Sequence, residues 1–123
     1  MTSEEKKAYL LLKSVIFHYH GLDEDEQQIL DETAAELNAK DELAWATAFI
    51  EEDYFNAFDR SRDFLKQVGE RLPKDKRFEY IKSVWQSNAK KGYISEMEAM
   101  AMLRVAEDWY VENDLVGLIK AGV

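Results

Sequence analysis

Two glutamates stand where their type and spacing could do chemistry. Glu26 follows Asp23 by three residues, and Glu98 follows Ser95 by three. With Asp23, Asp25 and Glu96 they make up the candidate metal-ligating set, because calcium and magnesium take hard oxygen donors of this kind. The same spacing is that of a capping box. There the N-cap side chain and the residue three further on each accept a backbone N–H at the start of a helix. As ligands the glutamates need further oxygens nearby; as caps they need nothing more. Capping is therefore the preferred reading, and no cofactor, metal or catalytic residue is expected.

Other groups are weaker candidates. His18 and His20 are two apart, so on a helix they point about 200° apart and grip one ion only if the helix ends between them. There is no cysteine and no third histidine to complete a zinc or iron site. The run Glu51-Glu52-Asp53 is the densest acidic stretch without a nearby cation, and reads as a solvated helix start. Met97, Met100 and Met102 fit either a pliable binding surface or core, and their helical spacing in an apolar segment favours core. Arg60, Arg62 and Arg71 could hold an anion, but acidic neighbours are expected to pair with them. A Gly-rich phosphate loop, a His-Glu-x-x-His and a nucleophile elbow are all absent, so the chain is not expected to be an enzyme.

Composition narrows the partners. Twenty-five acidic against sixteen basic residues give a net charge of −9 over 123 residues. Nucleic acid and anionic membrane surfaces are repelled on average by such a chain. The apolar runs are too short for membrane insertion, and the opening Met1-Thr2-Ser3-Glu4-Glu5 is unlike a signal peptide. The lack of cysteine suits a reducing, cytoplasmic compartment. A protein partner is compatible with all of this, as is a homodimer.

The elements that must position these residues are helices. One proline and five glycines leave long stretches unbroken. Thr2 with Glu5 opens a first helix, whose stripe is Ala8, Leu12, Val15, Ile16 and Tyr19, with Lys6, Lys7 and Lys13 off it; Gly21 closes it. Asp23 opens a second with Ile29, Leu30, Thr33, Ala34 and Leu37 inward. Asp41 caps a short helix over Leu43 to Ile50. A break at 51–53 precedes a long helix from Tyr54 to Leu72, striped by Phe55, Phe58, Arg62, Leu65, Val68 and Leu72. Pro73 separates it from a helix over Asp75 to Lys91, with Phe78, Ile81, Val84, Trp85 and Asn88 inward. Gly92 ends that helix and Ser95 starts the next, Glu96 to Glu112. This sixth helix carries Ala101, Met102, Val105, Ala106 and Trp109 inward and further apolar residues on other sides, which predicts a central position. Asn113-Asp114 caps a last short helix through Ile119. No alternating strand pattern appears. The expectation is an all-α bundle of six or seven helices in a single domain over 1–123.

Part of the chain repeats. Lys13-Ser14-Val15 recurs as Lys82-Ser83-Val84, and Leu22, Asp23 and Glu26 recur as Ile94, Ser95 and Glu98. The first copy is three residues shorter between Val15 and Glu26. The pattern predicts two helical hairpins related by a pseudo-two-fold axis and packed on each other.

This layout resembles the TerB-like family of tellurite-resistance proteins. The family's mark is an apolar helix, then Asp-Gly-x-Ile, then an acidic helix start with a glutamate, occurring twice. Gly92, Ile94 and Glu98 fit the second occurrence; Gly21, Leu22 and Glu26 fit the first less closely. The resemblance implies an all-helical cytoplasmic domain of the stress response, acting without catalysis through protein contacts. It also implies the alternative of a divalent-cation binder or sensor using the acidic turns. Lys91 and His20 stand where the family has aspartate before glycine. A lysine there removes a hard oxygen donor and adds repulsion toward a cation.

Overall fold

A computed structural model describes residues 1–90 and 92–122, with the backbone alone at His20. Lys91 and the His20 side chain, both singled out at the turns, lie outside the described residues. Among the described residues there are seven α-helices and no strand. They are α1 (Ser3–Phe17), α2 (Glu24–Glu36), α3 (Lys40–Glu52), α4 (Ala57–Gly69), α5 (Lys74–Ala89), α6 (Glu96–Asp108) and α7 (Glu112–Lys120). Short 3-10 turns, His18–His20 and Tyr54–Asn56, follow α1 and precede α4. No helix among the described residues is long and apolar enough to cross a membrane.

The chain forms two compact units, Met1–Leu65 and Lys66–Val123. In the first, α1 packs mainly on α3, with α2 against both. Thr2 caps α1, its hydroxyl accepting the Glu5 N–H at 3.1 Å. Every residue from Ala8 to Phe17 is buried. That stretch is enclosed on all sides, and all of it but Lys13 and Ser14 is apolar. This corrects two expectations: α1, not α6, is the helix enclosed on every face, and Lys13 is buried rather than off the stripe. Its ammonium is satisfied by the Thr33 hydroxyl at 3.0 Å and lies 5.6 Å over the Tyr9 ring. Trp45, Phe49 and Phe64 stack in a cluster with centroids 4.9 to 6.3 Å apart, each pair adding about 0.5–1.5 kcal/mol beyond its buried area.

The expected helix from Tyr54 to Leu72 does not form as one piece. The Asp53 carboxylate accepts from the Asn56 backbone and side-chain amides, which sets up the 3-10 turn in place of a continuous helix. Phe55 is turned out of its expected stripe by that geometry and is 96% exposed. At Gly69, the last residue of α4, the chain meets Trp109: a Cβ there would lie 2.5 Å from the indole Nε1.

In the second unit α5, α6 and α7 pack on one another. Tyr80, Ile81, Val84, Trp85 and Asn88 of α5 are buried, as are Met102, Val105, Ala106 and Trp109 from α6 and its end. The α2–α3 and α6–α7 segments follow the same backbone 72 residues apart. Each first helix ends in a residue with φ near −90° (Leu37, Trp109), followed by one left-handed residue, Asn38 at φ 53° or Tyr110 at φ 59°. The next N–H then bonds back across the turn, Ala39 to the Ala34 carbonyl at 2.7 Å and Val111 to that of Ala106 at 2.8 Å. This is the Schellman closure, which satisfies the last carbonyls of the first helix. It also overturns two expected caps. Neither Asp41 nor Asn113-Asp114 opens its helix; Ala39 and Val111 do, without any side-chain cap, because the closure delivers the backbone directly into the next turn.

Candidate functional site

Both candidate carboxylate turns form capping boxes. In the first, the Glu26 N–H donates to Asp23 Oδ1 at 2.7 Å, and the Asp23 N–H donates to Glu26 Oε1 at 3.3 Å. In the second, the Glu98 N–H donates to Ser95 Oγ and the Ser95 N–H to Glu98 Oε1, both at 3.1 Å. Two otherwise unpaired donors are satisfied at each helix start, and an acidic side chain there also suits the positive end of the helix dipole. Glu26 and Glu98 are buried, whereas Asp23, Asp25 and Glu96 are exposed.

That division decides the donor geometry. The buried glutamates each spend an oxygen on the backbone, while the neighbouring carboxylates face solvent. Among the described residues no group of three or more His, Asp or Glu side chains is placed to hold a metal ion. Six to eight oxygens are needed for calcium and a near-octahedral set for magnesium. The described residues at the turns thus serve as helix caps and do not group the oxygen donors that such a role needs.

The remaining candidates separate in the same way. His18 is half-buried, with Nδ1 2.6 Å from the Ser14 carbonyl, so that nitrogen carries the proton; Tyr54 lies edge-on at 5.9 Å. The acidic run at 51–53 does have a cation, because Arg60 reaches Glu52 at 3.3 Å and the Phe49 carbonyl at 2.9 Å. Hydrogen bonds from Asn56 hold the Asp53 carboxyl below the usual carboxylate range. The three arginines do not share a helix face: Arg60 is so engaged, the Arg62 guanidinium lies 6.0 Å over Phe58, and Arg71 is beyond the end of α4.

The methionines divide. Met102 is fully buried, but Met97 and Met100 are 56% and 49% exposed, contrary to the core expected for them. They lie three apart near the start of α6, and Tyr93, 65% exposed, precedes the cap. On a helix that spacing puts both methionines on one side, so an apolar strip faces water beside the second capped turn.

One arrangement had no signal in the sequence. Arg77 on α5 donates from Nη1 to the Trp109 carbonyl at 2.7 Å, and Lys66 pairs with Asp108 at 3.7 Å. Both cations lie in a cleft of about 570 Å3 beside exposed Tyr110, with Glu70, Glu107 and Glu112 on its wall. Arg77 meets a carbonyl at the end of α6, where negative partial charge gathers, and Lys66 meets the Asp108 carboxylate beside it. Comparison with protein-family models, with curated proteins and with solved structures finds no match.

Proposed function

We propose that this chain is a non-catalytic, TerB-like stress-response module of the cytoplasm that works through protein contacts. The observation that carries the reading is the exposed apolar pair Met97 and Met100, with exposed Tyr93 just before the cap. It adjoins Gly92, Ile94 and Glu98, the residues that carry the family resemblance. Methionine side chains are flexible and polarizable, and suit surfaces that repack around a partner. Aromatic residues and methionine are likewise enriched where proteins meet. The cap geometry supports the same reading, since it gives Glu26 and Glu98 a structural role in place of a reactive one.

Deletion of the coding sequence in the native host tests it. Survival under tellurite is expected to fall several-fold and to return when the parent chain is supplied. A Met97→Gln, Met100→Gln double variant, altered only at exposed positions, is expected to fold and fail to restore it. Unchanged survival on deletion, or full rescue by the double variant, overturns the proposal.

A further inference from the structure

An open groove of about 620 Å3 runs between α2 and α3 in the first unit. Ala34 and Leu43 form its buried floor, and Ala44, Thr47 and Ala48 line its α3 side. Asp31 on α2 and Glu51 on α3 stand on the rim, with Lys40 where α3 begins. Gln27 donates to Asp31 at 3.0 Å and holds that carboxylate along the helix.

The internal repeat shows what makes the groove. The same cap and turn conformations recur 72 residues on, with left-handed Tyr110 in the place of Asn38. There Leu103 stands for Asp31, Val116 for Ala44 and Ile119 for Thr47, all half-buried. Over the stretch the two copies share, which ends at Ala48 and Lys120, side-chain volume and polarity are what differ. The first copy has alanine, threonine and a rim aspartate where the second has three large aliphatic residues. Over the buried floor it thereby presents only small or polar side chains, with Ala44 and Ala48 exposed.

Charge identifies the occupant. Residues 1–65 hold sixteen acidic and six basic side chains, a net −10, whereas residues 66–123 hold nine and ten, a net +1. The acidity is thus concentrated on the unit that bears the groove, and Glu24, Glu32, Asp41 and Glu52 are exposed on the same two helices. Asp31 and Glu51 outnumber Lys40 on the groove, and a mainly negative surround selects a partner of positive charge and speeds its encounter. From Lys40 to Glu51 the groove side of α3 spans about 16 Å at 1.5 Å per residue, room for about three turns of a second helix. Within that length an amphipathic helix presents aliphatic side chains at positions i, i+3 or i+4, and i+7.

We infer that the α2–α3 groove binds one apolar face of a basic amphipathic helix from a partner protein. Aliphatic side chains enter over Ala34, Ala44 and Ala48, and lysine or arginine at the helix flanks meets Asp31 and Glu51. The inference rests on the reading that the chain works through protein contacts, but concerns a separate surface from the Tyr93–Met100 strip. Binding in solution and survival under stress are read separately, so failure of either is distinguishable from failure of the other.

The probe is a fluorescent peptide of about 14 residues with leucine along one helical face and lysine on the other. A matched peptide replaces lysine with glutamate. Anisotropy titrations at physiological salt are expected to show saturable one-to-one binding of the lysine peptide. The glutamate peptide should bind at least about tenfold more weakly. Ala44→Val with Thr47→Ile fills the groove with residues the scaffold already carries in its second copy, and leaves the charge unchanged. It should weaken the lysine peptide by about tenfold. Ala48→Leu, at an exposed position, provides a second filling variant, and circular dichroism confirms the fold of each. Undiminished binding by folded filled-groove variants would reduce the effect to diffuse charge and overturn the inference. Equal binding of both peptides, no binding, or a dimer of the parent that the peptide fails to dissociate would each overturn it as well.

Discussion

The α2–α3 and α6–α7 hairpins are one backbone carrying two surfaces. Asp23 and Ser95 cap with extended dihedrals (φ −90°, ψ 174° and φ −70°, ψ 159°), and Ala39 and Val111 enter the next helix at φ −132° and −125°. The shared positions are those that meet backbone needs: the cap, the buried glutamate, the alanine under the turn (Ala34, Ala106) and the leucine four residues past the next helix's entry (Leu43, Leu115). The positions that differ face outward or meet the rest of their own unit. The first hairpin exposes carboxylates around a shallow groove; the second exposes Tyr93, Met97 and Met100 and buries Trp109 where the first has half-buried Leu37. Backbone demands thus constrain the repeat, while each unit's side chains remain free to diverge.

The largest expected effect lies at that last pair. Trp109 is 1% exposed and seats on Gly69, so Trp109→Ala should cost about 3–5 kcal/mol. Leu37→Ala, at the matching and half-buried position, should cost clearly less. Urea denaturation of both variants measures the difference; equal losses would mean that the two hairpin ends are packed alike after all.

A smaller effect tests the left-handed residue. Asparagine tolerates positive φ through its short polar side chain, whereas tyrosine there is strained. Tyr110 is 81% exposed and loses little packing on replacement. Tyr110→Asn should therefore stabilise the fold by on the order of 0.5 kcal/mol, and Asn38→Tyr should destabilise it by a similar amount. Thermal melts of the two variants should move in opposite directions; movement in the same direction would show that the turns are not equivalent.

The helical architecture and both capped turns were legible in the sequence because they depend on local chemistry. Asp23 with Glu26 and Ser95 with Glu98 satisfy donors three residues away, so spacing alone reveals them. The closures that end α2 and α6 were not legible. Asp41 and Asn113 are good capping residues by type, yet the Schellman closure just before them satisfies the backbone first, and nothing about Tyr110 announces a left-handed conformation. Burial misled at Phe55, where the Asp53–Asn56 bonds rotate an aromatic ring into solvent. Met97 and Met100 read as core from apolar type and helical spacing, but α6 buries the face carrying Ala101, Met102 and Val105 instead. The groove was silent for a different reason: alanines at positions 44 and 48 read as ordinary helix formers, and only the second copy shows which larger side chains the site could have held.

The central claim is that the paired carboxylates at the turns hold helix ends and do not gather a cation. Thermal melting of the parent, Asp23→Ala and Ser95→Ala at physiological salt, with and without calcium, tests it most directly. A ligand bound only by the folded state raises the midpoint. Calcium should leave the parent midpoint in place, and each variant should be destabilised by about 1 kcal/mol to the same extent with and without the ion. A midpoint that calcium raises in the parent, with the rise lost in either variant, would contradict it.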